Sequence, residues 1–284
     1  MNTAPSSTSR GWGFIAPALL WTAAFFLAPF LIMVAMSLAS LEGRELVWSL
    51  TLDNYHKIFT QSFLTRAIWV SLQITLTVTV ISVLLAYPLA WIIAFRVPTR
   101  WQRLVLLLSI LPFWTSYVVR SYSWLLVLSR EGVLNNTMMS LGVISEPLQM
   151  ASSRFATVTG FVHFFVMLLT LTIFANLVQL SPNYRRAAMD LGASGWQTFR
   201  HVILPLTLPG IMVGAFLTFV LCIGDYITPQ ILGGNNELTV PQVIMMQLGR
   251  RGDFPLASAM ALVLMGLVTL AYIATARWLR LDRI

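Results

Sequence analysis

The sequence predicts an all-α integral membrane protein with six transmembrane helices. Its 284 residues are 57% hydrophobic and only 10% charged, and the mean hydropathy is +0.78. Since a soluble domain carries about 25% charged residues, this chain has too few polar side chains to cover a surface in water. Lipid is therefore the solvent expected around most of the chain.

Six apolar stretches are each long enough to cross a bilayer, which takes roughly 20 helical residues. They lie at about 13–38, 68–95, 104–128, 155–180, 210–232 and 255–279. The first is longer than the apolar core of a signal peptide, about 7–15 residues, and is interpreted as an uncleaved span. The predicted organisation is a cytoplasmic leader, 1–12, followed by one six-helix transmembrane domain, 13–284. Prolines inside the stretches predict bends; they are Pro17, Pro29, Pro88 and Pro112.

The distribution of charge predicts the orientation. With the N-terminus in the cytoplasm, the inside segments carry few acidic residues, Asp190 and Asp282, against Arg10, Arg96, Arg100, Arg103, Arg185, Arg186, Arg200, Arg277, Arg280 and Arg283. The outside segments are balanced, with Arg44, Lys57, Arg66, Arg130, Arg154, Arg250 and Arg251 against Glu42, Glu45, Asp53, Glu131, Glu146, Glu237 and Asp253. The positive-inside rule therefore favours both termini in the cytoplasm.

Several classes of protein are disfavoured by what the sequence lacks. The single cysteine, Cys222, lies in an apolar run, which excludes an internal disulfide and predicts a small buried hydrophobe. The basic residues form no basic helix face, so nucleic acid is not an expected partner. No phosphate-binding G-x-x-x-x-G-K-[ST] loop, H-E-x-x-H motif or metal-ligand cluster is present. The chain is therefore expected to be no enzyme and to bind neither ATP, a metal nor another cofactor.

The segment between the fourth and fifth spans, about 181–209, predicts two short helices separated by a turn. Ser181 can cap a helix that begins at Pro182, where a missing N–H costs nothing. Gly192 suits the left-handed residue that ends this helix. Ser194 and Gln197 form an S-x-x-Q capping box for the second helix. Pro205 and Pro209 are expected to end that helix before the next span begins.

This segment resembles the cytoplasmic loop motif of ABC importer permeases: Glu-Ala-Ala, three residues, Gly, nine residues, Ile, any residue, Leu-Pro. Arg186 stands at the usual Glu position and Val202 at the Ile position, while the remaining matches are Ala187, Ala188, Gly192, Leu204 and Pro205. In the family the loop docks in a cleft of the ATPase subunit and transmits its closure to the membrane helices. The resemblance assigns Asp190 to the same loop, and it predicts the type I ABC importer permease fold. Ala187 and Ala188 are small enough for a partner to approach closely.

Three further stretches resemble the spermidine/putrescine branch of these permeases. They are residues 111–124, LPFWTSYVVRSYSW; 132–135, GVLN; and 224–234, GDYITPQILGG. The resemblance implies a second permease, two ATPase subunits that carry ATP and Mg²⁺, and a periplasmic solute-binding protein. It favours a homologous heterodimer in the bacterial inner membrane and a polyamine as the solute. Because the same branch includes transporters for opines and aminophosphonates, another small solute remains an alternative.

Ionisable residues at membrane depth are costly and are candidates for the solute pathway. Asp225 lies within the fifth span or near its outer end, Arg120 lies in the third, and His163 lies in the fourth. One hypothesis is that Asp225 binds a cationic amine of the solute; the other is that it forms a structural ion pair with Arg120. His163 is expected to be a hydrogen-bonded residue of the bundle rather than a proton relay.

Aromatic residues near these charges offer ring faces to a cation. They are Trp114, Tyr117, Tyr122, Trp124 and, beside Asp225, Tyr226. The same rings also suit packing or the aromatic belt at the membrane interface, so both interpretations remain. Glu131 and Asp253 are expected to be solvated charges of the outer face or contacts for a binding protein.

Other functional classes require features that the sequence does not display. A secondary transporter needs more spans or internal repeats with an ion-coupling site. A membrane-embedded enzyme needs a convergent set of catalytic polar residues, whereas Arg120, His163 and Asp225 are sparse. A structural scaffold leaves the capped loop unexplained. Retention of an ATPase subunit through purification distinguishes the importer from all three.

Overall fold

The protein is described by a computed structural model that covers residues 7–43, 45–234 and 237–279. Residues 1–6 of the leader, Arg44, and the charges from Arg280 to the C-terminus lie outside the described residues. The helices in chain order are α1 (Ser7–Thr22), α2 (Ala28–Ser37), α3 (Asp53–Thr60), α4 (Ser62–Phe95), α5 (Thr99–Ile110), α6 (Tyr117–Leu128), α7 (Val133–Ser140), α8 (Arg154–Gln179), α9 (Pro182–Asp190), α10 (Gly195–Thr198), α11 (Leu204–Ile223), α12 (Ile227–Leu232), α13 (Val240–Met246) and α14 (Phe254–Leu279). One antiparallel pair of strands, β1 (Ser40–Glu42) and β2 (Glu45–Val47), follows α2, with Leu41 opposite Leu46.

Shorter turns join several of these helices into longer rods. Wider π-helical turns at Ala23–Leu27, Phe199–Ile203 and Gln247–Arg251 continue α1, α10 and α13, and a 3₁₀ turn at Leu111–Trp114 continues α5. Within the described residues, five helical segments are long and apolar enough to cross a membrane: Ile15–Ser37, Ser62–Phe95, Arg154–Gln179, Gly195–Ile223 and Phe254–Ala276. A sixth span requires the bent pair Thr99–Trp114 and Tyr117–Ser140 to count as one. The predicted all-α membrane fold is confirmed.

The third predicted span, 104–128, is broken close to Pro112, one of the prolines at which a bend was predicted. The chain breaks between Trp114 and Tyr117, and the two halves meet at 88°. Pro112 lacks an N–H, and its carbonyl oxygen accepts from the Thr115 backbone N–H at 3.3 Å and from the Thr115 hydroxyl at 2.7 Å. A side-chain hydroxyl that bonds to nearby backbone competes with helix continuation, so the rod ends here. Pro88, in contrast, lies inside the continuous helix α4.

The fifth predicted span, 210–232, also differs from the structure. Helix α11 begins earlier, at Leu204, and ends at Ile223, while α12 is a separate short helix. Asp225 causes the separation, because its carboxylate accepts the backbone N–H groups of Ile227 at 3.0 Å and Thr228 at 3.2 Å. This is the way an acidic side chain starts a new helix. Asp225 therefore lies just beyond the span rather than within it.

The prediction that Pro205 and Pro209 end the second short helix was wrong as well. The helix runs from α10 through the π-helical turn Phe199–Ile203 directly into α11, with both prolines inside the rod. In that turn the Leu204 N–H donates to the Phe199 carbonyl, five residues back. The wider turn changes the register of hydrogen bonds just before Pro205, which accommodates a residue that has no N–H.

The described residues group into two compact units. The first comprises residues up to 64 together with 244–263. In it, the buried Asn54 side chain donates to the carbonyls of Ser37 at 3.0 Å and Ala39 at 2.7 Å, which fixes α3 against the end of α2. The second comprises 65–243 and the chain from 264 onward, and it contains the candidate site.

The core of the second unit shows how its long helices run. One apolar cluster joins the C-terminal parts of α4 and α8 to the start of α11, through residues that include Ala90, Leu177 and Ile203. Another joins the N-terminal parts of α4 and α8 to the end of α11, through residues that include Ile74, Phe161 and Cys222. Helices α4 and α8 are therefore parallel and α11 is antiparallel to both. Cys222 is buried and free, as predicted.

Candidate functional site

The segment 181–198 forms the helix–turn–helix that its sequence predicts. The Ser181 side chain accepts the Asn183 N–H, with Pro182 as the first residue of α9. Gly192 has a φ of +85°, the left-handed conformation that ends a helix. The capping box is complete, because the Gln197 side chain accepts the Ser194 N–H at 2.8 Å and Ser194 Oγ accepts the Gln197 N–H at 3.3 Å.

The two alanines of the loop motif do not share a face. Ala187 is exposed, whereas Ala188 is buried against the chain itself, so the expectation that both are open to a partner was wrong for Ala188. Among the other residues assigned to the loop, Val202 and Leu204 are partly buried, and the exposed ones are Arg186, Asp190, Gly192 and Pro205. Ala188 is the buried residue of α9, so this position turns toward the rest of the chain while the other residues of the short helix are exposed.

The exposed face of the loop is strongly apolar, a feature that the motif alone does not reveal. Leu191 is 89% exposed and Trp196 is 67% exposed. Tyr184 and Met189 also present more than half of their surface. We call these four residues the loop face. Large exposed apolar side chains gathered on one short loop are typical of an interaction surface.

Aromatic contacts connect the loop face to the transmembrane helix α4. Trp196 stacks on Phe199 with ring centroids 5.2 Å apart. Phe199 meets Trp91 edge-on at 5.3 Å and Tyr87 at 5.8 Å, and Trp91 contacts Phe95 at 4.5 Å. Since such pairs contribute about 0.5–1.5 kcal/mol each beyond the area they bury, these rings hold the start of the second loop helix against α4. None of these contacts could be foreseen from the spacing of the residues.

Asp225 occupies the break between α11 and α12. Its Oδ2 accepts a hydrogen bond of 2.5 Å from the Tyr117 hydroxyl and one of 3.2 Å from the Thr228 N–H, and its Oδ1 accepts from the Ile227 N–H at 3.0 Å. The Tyr117 hydroxyl also lies 2.5 Å from the hydroxyl of Thr228, which is buried. Sequence reasoning found Tyr117 and Asp225 but missed Thr228. The sequence did offer a signal, because Thr228 lies three residues after Asp225, within reach of a capping carboxylate.

Arg120 does not form the predicted alternative ion pair with Asp225. Its Nη1 donates to the Pro112 carbonyl at 3.1 Å, and its guanidinium lies over the rings of Phe164 at 4.8 Å and Tyr117 at 5.3 Å. The side chain therefore bridges the break between α5 and α6. The described residues contain a single salt bridge, Arg154–Glu237 at 2.6 Å, so Asp225 has no basic partner among them.

The remaining aromatic candidates separate into two groups. Trp124 is partly buried, and its indole N–H donates to His163 Nδ1 at 2.9 Å, which confirms His163 as a hydrogen-bonded residue of the bundle. Arg120, Trp124 and His163 line a cavity of about 300 Å³ at the break, together with Pro112, Thr115 and Ser123. Trp114 and Tyr122 are more than half exposed and do not line it, and Tyr226 is partly buried beside Asp225.

The short stretch 132–135 has a structural role. Buried Asn135 donates to the carbonyls of Ser129 and Leu148, both at 3.0 Å, and accepts the Leu148 N–H at 2.9 Å. A Cβ at Gly132 would lie 2.5 Å from the carbonyl oxygens of both Leu126 and Val127, so only glycine fits. These residues fasten the connection that follows α6.

Two acidic residues of the predicted outer face differ in their surroundings. Asp253 Oδ1 accepts the Leu256 N–H at 3.0 Å and so caps the start of α14. Glu131 is exposed. No group of three or more His, Cys, Asp and Glu side chains within the described ranges is arranged to hold a metal ion.

Comparison with known families identifies the chain. Residues 86–280 match the family described as the binding-protein-dependent transport system inner membrane component. The chain belongs to this family. It is therefore a multi-pass inner-membrane permease subunit of an ABC import system rather than an enzyme, and membership implies a partner ATPase and a solute-binding protein.

Characterised relatives resemble the permease over nearly its whole length. The spermidine/putrescine transport system permease protein PotB of Escherichia coli is 32% identical over 263 residues, which are 91% of this chain and 95% of that protein. The PotB protein of Haemophilus influenzae is 30% identical over 91% of each chain. The inner membrane ABC transporter permease protein YdcU of Escherichia coli is 34% identical over 70% of this chain and 67% of that protein.

Solved structures confirm the fold of the permease. A chain of the bacterial alginate ABC transporter, in complex with a periplasmic protein that holds alginate pentasaccharide, superposes with a TM-score of 0.78. It is 17% identical, and the match covers 95% of the permease and 94% of that chain. The permease therefore has the type I importer fold.

Proposed function

We propose that the permease forms half of the pathway through which an ATP-driven importer moves a polyamine such as spermidine or putrescine. The observation that carries this proposal is the Asp225 carboxylate, which has no basic partner among the described residues. Three donors hold it in place, yet all three are uncharged, so its negative charge stays uncompensated. A site of this kind attracts the ammonium group of an amine. The likeness to two proteins named as spermidine/putrescine permeases supports the same solute class.

The broken helices support a pathway beside Asp225. Irregular backbone at membrane depth is tolerated where it is buried in protein or lines a water-filled cavity. The break between α5 and α6 lines the cavity of about 300 Å³, and Tyr117 links that break to Asp225. Tyr117, Tyr226 and Trp124 then offer ring faces along the route, while Trp114 and Tyr122 suit the lipid interface or the second permease.

The loop face is the proposed docking surface for the ATPase. Its four apolar residues lie on the helix–turn–helix that resembles the family's coupling loop, and Arg186, Asp190 and Ala187 border them as exposed residues. Arg186 offers a cation where relatives place a glutamate, so an acidic ATPase residue is its expected partner. The contacts from Trp196 through Phe199 to Trp91 would transmit closure of the ATPase to α4.

The direction of the long helices supports the proposed orientation. Because α4 and α8 are parallel, the segment after α4 and the segment after α8 lie on one side of the membrane. These segments carry Arg96, Arg100 and Arg103 and Arg185, Arg186 and Arg200. We assign this side to the cytoplasm by the positive-inside rule, which places both termini there.

The proposed assembly contains four further subunits around this chain. A homologous second permease completes the pathway as a heterodimer, and two ATPase subunits hold ATP and Mg²⁺. A periplasmic binding protein delivers the solute. The permease itself is proposed to bind no cofactor. A leader over 1–12 and a single transmembrane domain over 13–284 remain the proposed organisation.

ATP-dependent uptake tests this function. The permease with its co-encoded partners is reconstituted in proteoliposomes, and labelled spermidine or putrescine is added outside with the binding protein. Saturable uptake that needs both ATP and the binding protein is expected. An opine and an aminophosphonate are added as competitors. If an assembled complex hydrolyses ATP but takes up no polyamine, the solute belongs to another class. Failure of any ATPase subunit to assemble with the permease would overturn the importer function itself.

A further inference from the structure

Two adjoining cavities lie where α4 and α8 end, between these helices and the loop helix α9. The larger, about 490 Å³, is lined by residues that include Phe95, Gln102, Leu177, Val178, Arg185 and Arg186. The smaller, about 350 Å³, is lined by Trp91, Phe95, Arg96, Arg185, Thr198 and neighbours. Arg185 and Phe95 line both, so the two cavities form one continuous depression, which we call the α9 depression.

The α9 depression is positively charged without compensation. Three arginines line it, and no aspartate or glutamate does. None of the three forms a salt bridge within the described ranges. Their guanidinium groups are exposed, so they retain full charge and present a fork of donors that suits phosphate oxygens.

The floor of the depression is the apolar end of the membrane-spanning bundle. Leu177 and Ile203 are buried, whereas Val178 of α8 is largely exposed beside them. The Gln102 side chain closes the end of α4 by donating to the carbonyls of Ala94 at 3.0 Å and Val97 at 3.1 Å. An occupant therefore meets hydrocarbon on one side and guanidinium groups on the other.

We propose that the α9 depression binds an anionic phospholipid of the inner leaflet, with the headgroup phosphate on Arg185 and an acyl chain along Phe95 and Val178. This inference rests on the proposed function only for the side of the membrane that the loop faces. Basic pockets between transmembrane helices at the cytoplasmic surface bind such headgroups. Arg186 borders the loop face and is left to the ATPase. An acidic side chain of the ATPase on Arg96 and Arg185 would leave the apolar floor uncovered, so a lipid fits this part of the surface better.

A lipid in the α9 depression would affect how the loop couples the ATPase to the membrane helices. Helix α9 carries Tyr184 and Met189 on the same segment as Arg185, and both side chains lie where the loop face meets the larger cavity, which they also line. A lipid held between α9 and the ends of α4 and α8 fixes the loop relative to the bundle. Anionic lipid is therefore expected to raise the ATP hydrolysis that accompanies transport.

Lipid retention by the purified full complex tests the inference. Native mass spectrometry compares phosphatidylglycerol with phosphatidylcholine on the wild-type complex, on Arg185→Gln and on Arg96→Gln/Arg185→Gln. Arg103→Gln is the matched control, since Arg103 is exposed on the same side but lines neither cavity. Retained phosphatidylglycerol is expected to fall by about fivefold per arginine lost, in line with the contribution of one basic residue near an anionic surface, with the control unchanged.

The outcomes separate this inference from its alternatives. Equal retention of phosphatidylglycerol in the wild type and Arg185→Gln, or equal retention of the zwitterionic lipid by the wild type, overturns it. Loss of the ATPase subunit from Arg185→Gln with lipid retention intact assigns the arginines to the ATPase and also overturns it. If inorganic phosphate replaces phosphatidylglycerol in stimulating ATP hydrolysis, the ligand is not a lipid. Absence of the ATPase from the wild-type complex contradicts the proposed function instead, and lipid retention still decides the inference.

Discussion

The Tyr117 hydroxyl donates to Asp225 Oδ2 at 2.5 Å across 108 positions of the chain. The same hydroxyl contacts buried Thr228, and the Tyr117 ring lies under the Arg120 guanidinium at 5.3 Å. One tyrosine therefore joins the two breaks in the transmembrane helices. Arg120 and Asp225, the two charges nearest to it, remain unpaired with each other, because Arg120 is directed to the Pro112 carbonyl.

The charge of Asp225 is expected to matter more than its hydrogen bonds. Asp225→Asn removes the negative charge and keeps one side-chain oxygen, which can still accept the N–H of Ile227 in place of Oδ1, while its NH2 group replaces Oδ2. We expect polyamine uptake to fall at least tenfold, the factor equivalent to ~1.4 kcal/mol, with assembly of the ATPase intact. Tyr117→Phe is the matched comparison, since it keeps the charge and loses only a donor, and should reduce uptake less. Uptake by Asp225→Asn at the wild-type rate would remove Asp225 from the pathway.

Arg120 is expected to stabilise the break rather than to meet the solute. Arg120→Ala removes a hydrogen bond from a charged group, about 1.5–3 kcal/mol, and two cation–π contacts. We therefore predict a lower melting temperature for the purified complex, measured by intrinsic fluorescence. Arg120→Lys keeps the charge without the planar guanidinium. Its melting temperature should lie between those of the wild type and Arg120→Ala. A variant with unchanged melting temperature and abolished uptake would instead make Arg120 a residue of the pathway.

Phe199 is expected to couple the loop to α4. Phe199→Ala removes the ring contacts with Trp91, Tyr87 and Trp196, each worth about 0.5–1.5 kcal/mol. ATP hydrolysis should continue while the solute moved per ATP falls several-fold, since the loop can then move without α4. The measurement is the ratio of uptake to hydrolysis in one preparation of proteoliposomes. Phe199→Trp restores a ring and should recover the ratio; a constant ratio in Phe199→Ala would disprove the link.

The loop face is expected to hold the ATPase through apolar contact. Leu191→Asp puts a charge where an 89% exposed leucine would be covered, and burying an unpaired carboxylate is strongly unfavourable. Co-purification of the ATPase subunit should be lost. Asn183→Asp adds the same charge to an exposed residue of the same helix outside the loop face and should retain the ATPase. Equal retention by both variants would place the docking surface elsewhere.

Gly132 is expected to be irreplaceable for steric reasons. A Cβ there meets three backbone carbonyl oxygens within 3 Å, and backbone cannot yield as a flexible side chain does. Gly132→Ala should destabilise the protein by about 1–3 kcal/mol, as overpacking does, which lowers its melting temperature and its yield. Gly266→Ala is the control, because a Cβ at Gly266 meets nothing within 4 Å. Equal melting temperatures for the two variants would contradict the clash.

Sequence-based predictions were accurate where the interactions join residues close together in the chain and failed where they join distant ones. The capping of α9 and α10 was predictable residue by residue, because Ser181, Gly192, Ser194 and Gln197 act within three or four positions of themselves. The spans were predictable because a long apolar stretch is more stable in lipid than in water. Pro112 predicted a bend in the third span but not an angle of 88°, and the break at Asp225 was missed. Apolar composition measures the affinity of a segment for lipid and not the continuity of its helix.

The sequence by itself determined that this chain crosses a membrane about six times, which side of it carries the excess of arginine, and where a capped loop stands between two spans. Composition and local hydrogen bonding are enough for these. Only the tertiary structure decided that Arg120 is bound to the Pro112 carbonyl, that Ala188 faces inward, and that Asp225 is left without a basic partner among the described residues. Each depends on which helices lie side by side, and contacts between residues 100 positions apart are fixed by packing rather than by local pattern.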